Sequence, residues 1–462
     1  GLNINTADEN ELRALPFLNS WQIQQLILYR ALFGQLLHIY ELQAVPGWTP
    51  VLIRKLQPYI KVQETFLLQA RREKWWKAGK HNILLRWSKK YSSASSAKST
   101  ISDYRSMLRY RYSFRNRFQY GLVAEKDAGE PLFSKDRKAG FDFYSVHLFL
   151  KREHWLYLIA LGDYSVRMGQ GLIHWQGLSF GKTGDLARLK KQAPVIHPYQ
   201  SAGEFHFHRG AAVGLKGKNW QAHVFYSLRK LSATVSRDSA GRMLSFSSFR
   251  PSGLHSTPGE MAGRNVLPQQ TWGANFKFQR LKWQVSANLV SYNYEVPMQK
   301  ERTAANFFAI SGRRWFNASI DYSHTYKNWH FFGELATDMR KHAAVLAGAL
   351  LSVAPRFDMG WVYRNFSVGY QSINGQALAE TAMPGNERGL LWAIDWRLAQ
   401  RVRLQGWVDR FMFPWIKTRI PRPQRGSEAQ LLLTAIVSKQ SEFTARWVIK
   451  GVQREDMSLM AS

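Results

Sequence analysis

From residue 81 onward, the chain repeatedly enters stretches in which apolar side chains recur at every second position. Leu108, Tyr110, Tyr112 and Phe114 alternate with Arg109, Arg111, Ser113 and Arg115. Trp220, Ala222, Val224, Tyr226 and Leu228 alternate with Gln221, His223, Ser227 and Arg229, with Phe225 as the exception. The same alternation runs over 272–278, 283–289, 316–322, 392–398 and 443–449. A period of two puts each apolar set on one side of a sheet. The joins come in two kinds: short at 151–154, 279–282, 326–328 and 399–401, long and polar at 236–270, 296–312, 371–386 and 413–429.

Short turns at one rim and long loops at the other are the pattern of an outer-membrane barrel. Roughly sixteen to eighteen strands of about ten to fourteen residues are predicted, longer than the usual soluble strand and suited to a tilted bilayer crossing. Aromatic residues at strand ends (Trp155, Trp220, Trp272, Trp315, Trp329 and Tyr292) fit interfacial girdles. The competing architecture is a soluble propeller or large sandwich. Its outer face would rarely place so many Trp and Phe beside Arg and Lys.

The first sixty residues follow a different period. Thr6 and Glu9 have capping-box spacing, a helix is predicted to about residue 15, and Pro16 stops it. Ile23, Leu26 and Ile27 then mark a helix over 21–33 that Gly34 ends. A short helix over 39–44, a turn at 46–49 and a helix over 51–59 repeat the unit. The predicted division is a helical domain over 1–62, a linker over 63–80 and a barrel over 81–462, mainly β with a small all-α N-terminal part.

Charge sharpens the division. Residues 1–62 carry five basic and four acidic side chains, leaving +31 of the total +32 to residues 63–462. A field of that sign attracts anionic solutes, a polyanion or anionic lipid. With apolar sets facing lipid, Arg109, Arg111, Arg115, Arg229 and Arg403 are expected to face the lumen. The 64 aromatic residues exclude a disordered chain, and the absence of cysteine excludes disulfides and thiolate chemistry. No apolar run reaches the length of a spanning helix. Residues 1–5 show no leader, so the chain reads as cytoplasmic or as already processed, the latter if it is a barrel.

The strings LNINTADENELRALP and LILYRALFGQLLHIYELQAVPGW resemble, over residues 2–62, the helix-hairpin-helix domain of competence-type periplasmic DNA receptors. That resemblance implies hairpin turns whose backbone amides meet a DNA phosphate, which makes Asn19, Gly47 and Thr49 the candidate phosphate contacts. The family's Gly-apolar-Gly turn is replaced here by Phe17-Leu18-Asn19, without glycine, and by Gly47-Trp48-Thr49, with one. With the near-neutral charge this leaves DNA contact and a structural or protein-docking role both open. GLVAEKDAGEPLF, GFDFYSVHLFL, LGDYSVRMGQGL and SGLHSTPGEMAGRN are similar to a group of Bacteroidetes outer-membrane proteins with such a domain. Barrels of this kind usually end on an aromatic residue. Residues 455–462 contain none, so an altered or truncated C-terminus is expected.

Other candidate chemistry reads as structural. Gly181-Lys182-Thr183 resembles the tail of a phosphate loop, but Gln176 stands where a glycine is required. Glu204, His206 and His208, placed on one strand face, read as a polar row and not as metal ligands. Glu125, Lys126, Asp127 and Glu130 read as an ion-pair network with nearby arginines. The glycine-broken segment 163–203, with a short basic helix expected over 185–192, is either a constriction folded into the lumen or an ordinary extracellular loop. No catalytic, cofactor or metal residue is assigned.

The expected function is a porin-like channel with a basic lumen in the bacterial outer membrane, its helical domain in the periplasm, passing anionic solutes or DNA. The alternative is a plugged barrel that serves assembly, its helical domain docking a partner protein. Outer-membrane lipid and lipopolysaccharide are the expected surroundings.

Overall fold

Alternation in twos becomes strand after strand of one antiparallel sheet. The computed structural model describes residues 1–452 apart from 6, 34–35, 37, 63–78, 90–103, 115–116, 129–139, 180, 254–256, 418–419, 421 and 438–440. Twenty described strands, from Lys80–Lys89 to Glu442–Val452, belong to a closed barrel. Three of them, Ile196–Pro198, Ala233–Arg237 and Met243–Phe249, are short pieces within long connections, which leaves seventeen crossing strands among the described residues. Each crossing strand pairs antiparallel with the next. With an odd number of crossings, the first and last strands run in the same direction where closure brings them together at the seam.

The short joins form tight turns at one rim. Leu281 (φ 49°) and Lys327 (φ 50°) take the left-handed conformation that two-residue hairpins need to match strand twist. Strands reach further toward the long-loop rim than the alternation suggested: Leu267–Arg280 and Trp283–Met298 absorb residues expected in loops. The long join after residue 231 holds the Ala233–Arg237/Met243–Phe249 hairpin and a helical turn, Pro258–Ala262.

The outer wall is apolar. Trp272, Phe276, Trp283, Ile320, Trp392 and Trp447 point outward and are 48–56 % exposed. A band of this extent would be an aggregation surface in water, far above the ~300–600 Å² patch a soluble monomer carries. In lipid, a closed sheet leaves no backbone edge unsatisfied. Among the described residues no helix is long and apolar enough to cross a membrane, so any crossing is made by strands. Two predicted girdle residues are corrected: Tyr292 and Trp315 are buried and face inward, where Trp315 Nε1–H donates to the Gln371 carbonyl at 3.3 Å. Phe225, the apparent break in its strand's alternation, also faces inward and is buried against Tyr164 and His208.

The N-terminal region forms α1 (Glu9–Arg13), α2 (Ser20–Phe33), a 3-10 turn (Ile39–Ala44) and α3 (Pro50–Leu56), closed by a two-residue parallel ladder between Leu2–Asn3 and Ile60–Lys61. Its core is Ile4, Leu12, Ile23, Leu26, Leu42, Trp48, Ile53 and Leu56. Thr6 and Gly34 lie outside the described residues. The reciprocal cap at α1 is made by Asp8 and Glu11, and Glu9 instead accepts from Arg13 and Gln24. The helix expected over 51–59 is α3 over Pro50–Leu56: it begins one residue earlier, at a proline whose fixed φ suits a first helical position, and gives way to a turn at 57–59.

Candidate functional site, the lumen and its plug

Two long connections, 167–207 and 367–386, fold inward and fill much of the lumen. Of the two outcomes open for the glycine-broken segment, the structure adopts the constriction. Gly169 (φ 53°) lies so close to the wall that a Cβ there would be 2.5 Å from the Glu334 carboxyl carbon. Without it the chain approaches closely enough for the Gln170 and Leu172 amides to donate to Glu334 Oε2 at 2.6 and 3.0 Å. His174 stands between the Tyr292 hydroxyl (2.7 Å) and His208 (3.1 Å). Burial pushes the His174 imidazole down to about 3, so it is neutral at pH 7.

The two loops bind each other as well as the wall. Trp175 N–H donates to the Asn374 carbonyl (2.8 Å) and the Tyr370 hydroxyl to the Leu172 carbonyl (3.1 Å). Met168, Leu172, Ile173, Leu186 and Leu189 join Phe225, Phe332, Val362, Phe366 and Leu391 in one apolar cluster. At ~1.5–3 kcal/mol for each fully buried large aliphatic side chain, this packing makes the plug a fixed part of the fold.

A charged cluster latches the plug to the wall. Lys182 Nζ lies 2.5 Å from Glu380, 2.6 Å from Asp409 and 3.0 Å from Glu428. Arg364, wholly buried, donates bidentately to Asp409 (2.8 and 2.8 Å) and through Nε to Glu387 (2.5 Å). Burial alone would lower the Lys182 ammonium, but its bonds to Asp409 and Glu380 hold it above its ordinary value. Burial would raise the Glu380 carboxyl, and bonds from Lys182 and Lys450 pull it below its ordinary 4.5. A carboxylate depressed in the fold contributes stability that is present above its unfolded value and lost as pH falls through its folded value. The latch is therefore expected to hold at neutral pH and to loosen below about pH 4.5. Lowering the pH from 6 to 3.5 should increase single-channel conductance in planar bilayers, and a Lys182→Met variant should respond less; equal responses would show that the latch does not control the opening.

The plug descends to the short-turn rim. Lys190 meets His330 at 3.0 Å, and Leu186 and Leu189 approach Gly360, both on strands near their short-turn ends. There the helical region meets it: Arg13 Nη1 donates to the Ala187 carbonyl at 2.8 Å. The basic helix expected over 185–192 is only the 3-10 turn Leu186–Arg188.

The candidate residues do not converge on one point. Arg109 and Arg111 lie on the face shared with Gly121 and Val123, which is the face carrying buried His147, and Arg111 reaches Gln200 at 3.3 Å. Arg229 faces inward, stacks over Phe207 (4.5 Å) and donates to the Phe205 carbonyl. Arg403 faces inward and is paired with Asp395. Arg115 lies outside the described residues. In the helical region, Asn19 Oδ1 accepts from the Gln22 amide (2.7 Å) and the Thr49 hydroxyl from the Leu52 amide (3.3 Å), so both side chains act as helix caps. Gly47 (φ 80°) packs on Trp21, and a Cβ there would fall 1.9 Å from the indole.

The remaining motifs resolve as structure. Lys182 belongs to the latch, and Gln176 accepts from the Val166 amide. Glu204 and His206 precede the strand His208–Lys216, so the three residues share no strand face; chain bends intervene because 204–206 joins the plug. Glu125 and Asp127 pair with Arg105 at 2.5 and 3.2 Å, Lys126 donates to the Tyr104 carbonyl, and Glu130 lies outside the described residues. Among the described residues no group of three His, Cys, Asp or Glu side chains is placed to hold a metal. Arg364, Asp409 and Glu334 were not singled out from the sequence, because a lone charge in an alternating strand reads as any other lumen-facing position. Lys182 stood out only as the tail of a phosphate loop, and its role in the latch depends on partners far along the chain.

Residues 1–61 match the helix-hairpin-helix motif family. No curated protein matches the chain. Among solved structures it is similar to Wzi of Escherichia coli, an outer-membrane protein involved in group 1 capsule assembly and a carbohydrate-binding β-barrel, at 10 % identity over 78 % of this chain and 77 % of that one, with a TM-score of 0.40. It is also similar to Pseudomonas aeruginosa OpdQ (9 % identity, 81 % and 92 % covered, TM-score 0.40) and to OpdK of the same species, solved with vanillate (12 %, 76 % and 87 %, 0.38). The chain is a large antiparallel β-barrel carrying a small N-terminal helix-hairpin-helix region.

Proposed function

We propose that this barrel sits in a bacterial outer membrane with its short-turn rim and helical region in the periplasm, and that it passes small anionic solutes along a basic strip beside the plug. The observation that carries this reading is the inner face of the seam. Arg86, Arg109, Arg111 and Arg446 point inward there, Arg86 and Arg446 exposed, and none has a carboxylate partner among the described residues. Other inward cations are covered: Arg403 and Arg364 pair with Asp395 and Asp409, and Arg229, which has no carboxylate ion pair among the described residues, stacks on Phe207 and donates to the Phe205 carbonyl. An uncompensated cationic wall beside a low-dielectric plug raises the local anion concentration.

The two inserted loops pack on the inner wall and on each other, so duplex DNA is not the proposed cargo. The helical region is proposed to hold the plug and dock a periplasmic partner, since the side chains of Asn19 and Thr49 already cap helices. The test is the reversal potential of the full chain in planar bilayers under a KCl gradient. The wild type should favour anions, and Arg109→Glu with Arg111→Glu should shift the preference toward cations. An unchanged ratio in the double variant would remove the basis for the assignment.

A further inference from the structure

On the outer wall, at the long-loop rim, a cavity of ≈ 810 Å³ opens over the strands Glu387–Ala399, Val402–Phe413, Gln424–Ile436 and Glu442–Val452. Arg388, Arg410 and Arg425 line it. Their direction follows from register. The inward set on these strands includes buried Glu387, Leu391, Asp409 and Phe411, so the alternate positions 388, 410 and 425 face outward. Met412 pairs with Arg388 on one side and Arg425 on the other, and Arg410 lies two residues below it. The three guanidinium groups thus surround one patch about two strand spacings, ~10 Å, across. All three side chains are exposed, and none has a carboxylate partner among the described residues.

The height of the patch identifies its surroundings. Arg388 and Arg425 stand one residue from their strand ends, and Leu390 and Trp392 directly below Arg388 belong to the apolar band, 51 % and 48 % exposed. Three unpaired arginines therefore sit where that band ends, at the headgroup level of the leaflet facing the long loops. Leu390 and Met412 supply an apolar floor between them. Gly451 keeps the wall thin, since a Cβ there would meet nothing nearer than 3.9 Å.

We propose that this cavity binds the phosphorylated headgroup of an outer-leaflet glycolipid, its phosphates held by Arg388, Arg410 and Arg425 and its acyl chains lying on Leu390 and Met412. Planar guanidinium forks match phosphate oxygens bidentately, and three of them around an apolar floor fit a lipid carrying more than one phosphate. The inference rests on the outer-membrane reading of the barrel.

The experiment uses the full chain in a non-ionic detergent, titrated with diphosphoryl lipid A or its dephosphorylated form and read by native mass spectrometry. Failure of the membrane reading is seen first, as a monodisperse chain without detergent. For a membrane barrel, the phosphorylated lipid should bind at least about tenfold more tightly than the dephosphorylated one, a preference that the triple variant Arg388→Gln/Arg410→Gln/Arg425→Gln abolishes. Gly451→Leu, which fills the cavity without altering charge, should weaken binding too, and Arg109→Gln on the inner face should not. Equal affinity for both lipids, or an unchanged preference in the triple variant, overturns the site. Inorganic pyrophosphate competing at the same concentration as the lipid assigns a soluble phosphate source and overturns the lipid one.

Discussion

Arg364→Met is expected to destabilise the barrel by ~3–5 kcal/mol, because it removes one partner from a buried ion cluster and leaves the others without compensation. Arg364, Glu387 and Asp409 are all buried with no side-chain exposure in their ion pairs. Among the described residues, Asp409 would keep only Lys182, and Glu387 only the Glu380 and Thr381 amides and the Thr381 hydroxyl. The measurement is the urea midpoint for unfolding from lipid bilayers, followed by tryptophan fluorescence. Adding Asp409→Asn and Glu387→Gln to the same chain should recover part of the loss by removing the stranded charges. A loss below about 1 kcal/mol, the level of an exposed pair, would mean that water reaches the cluster.

The second large effect concerns conductance. Replacing residues 169–194 with a short Gly-Ser linker removes the contacts of the plug with Glu334, the latch and the helical region. What remains is a wall of seventeen described crossing strands with only the loop over 367–386 folded inside it. Wide barrels conduct as water-filled channels when nothing fills them, so single-channel conductance in planar bilayers should rise several-fold. Conductance equal to the wild type would show that the loop over 367–386, or the helical region, is the real obstruction.

Much of the wall was legible from residue order. The strand holding Leu108, Tyr110 and Phe114 turns its rings outward and Arg109 and Arg111 inward, because a period of two leaves no other arrangement once one face meets lipid. The short turns at 281–282 and 327–328 were legible for the same reason. Where alternation misled, the plug was responsible. Phe225, Tyr292 and Trp315 are large aromatic residues on the inner face, and they are stable there only because the inserted loops cover them. A one-dimensional pattern carries no record of what lies across a lumen.

The site shows the same division. Glycines at 162, 169, 171, 177, 181 and 184 mark a segment that departs from strand geometry, and that departure is visible in residue order. Its destination is not. Whether such a segment projects outward or inward depends on partners far away in the chain: Glu334 for the Gln170 and Leu172 amides, Asp409 and Glu428 for Lys182, and Ala187 for Arg13. Composition likewise located the excess positive charge in the barrel region but not its distribution. Pairing neutralises Arg403 and Arg364, while Arg109 and Arg111 remain without carboxylates among the described residues.

Sequence by itself determined the barrel wall, the helical N-terminal unit and the sign of the field, because periodicity, capping and net charge are local or additive properties. Tertiary structure alone decided that the lumen is plugged, which cations stay uncompensated and where three arginines gather on the outer wall. Those outcomes depend on contacts between residues scores of positions apart, whose energies exist only once strand register has brought the residues together.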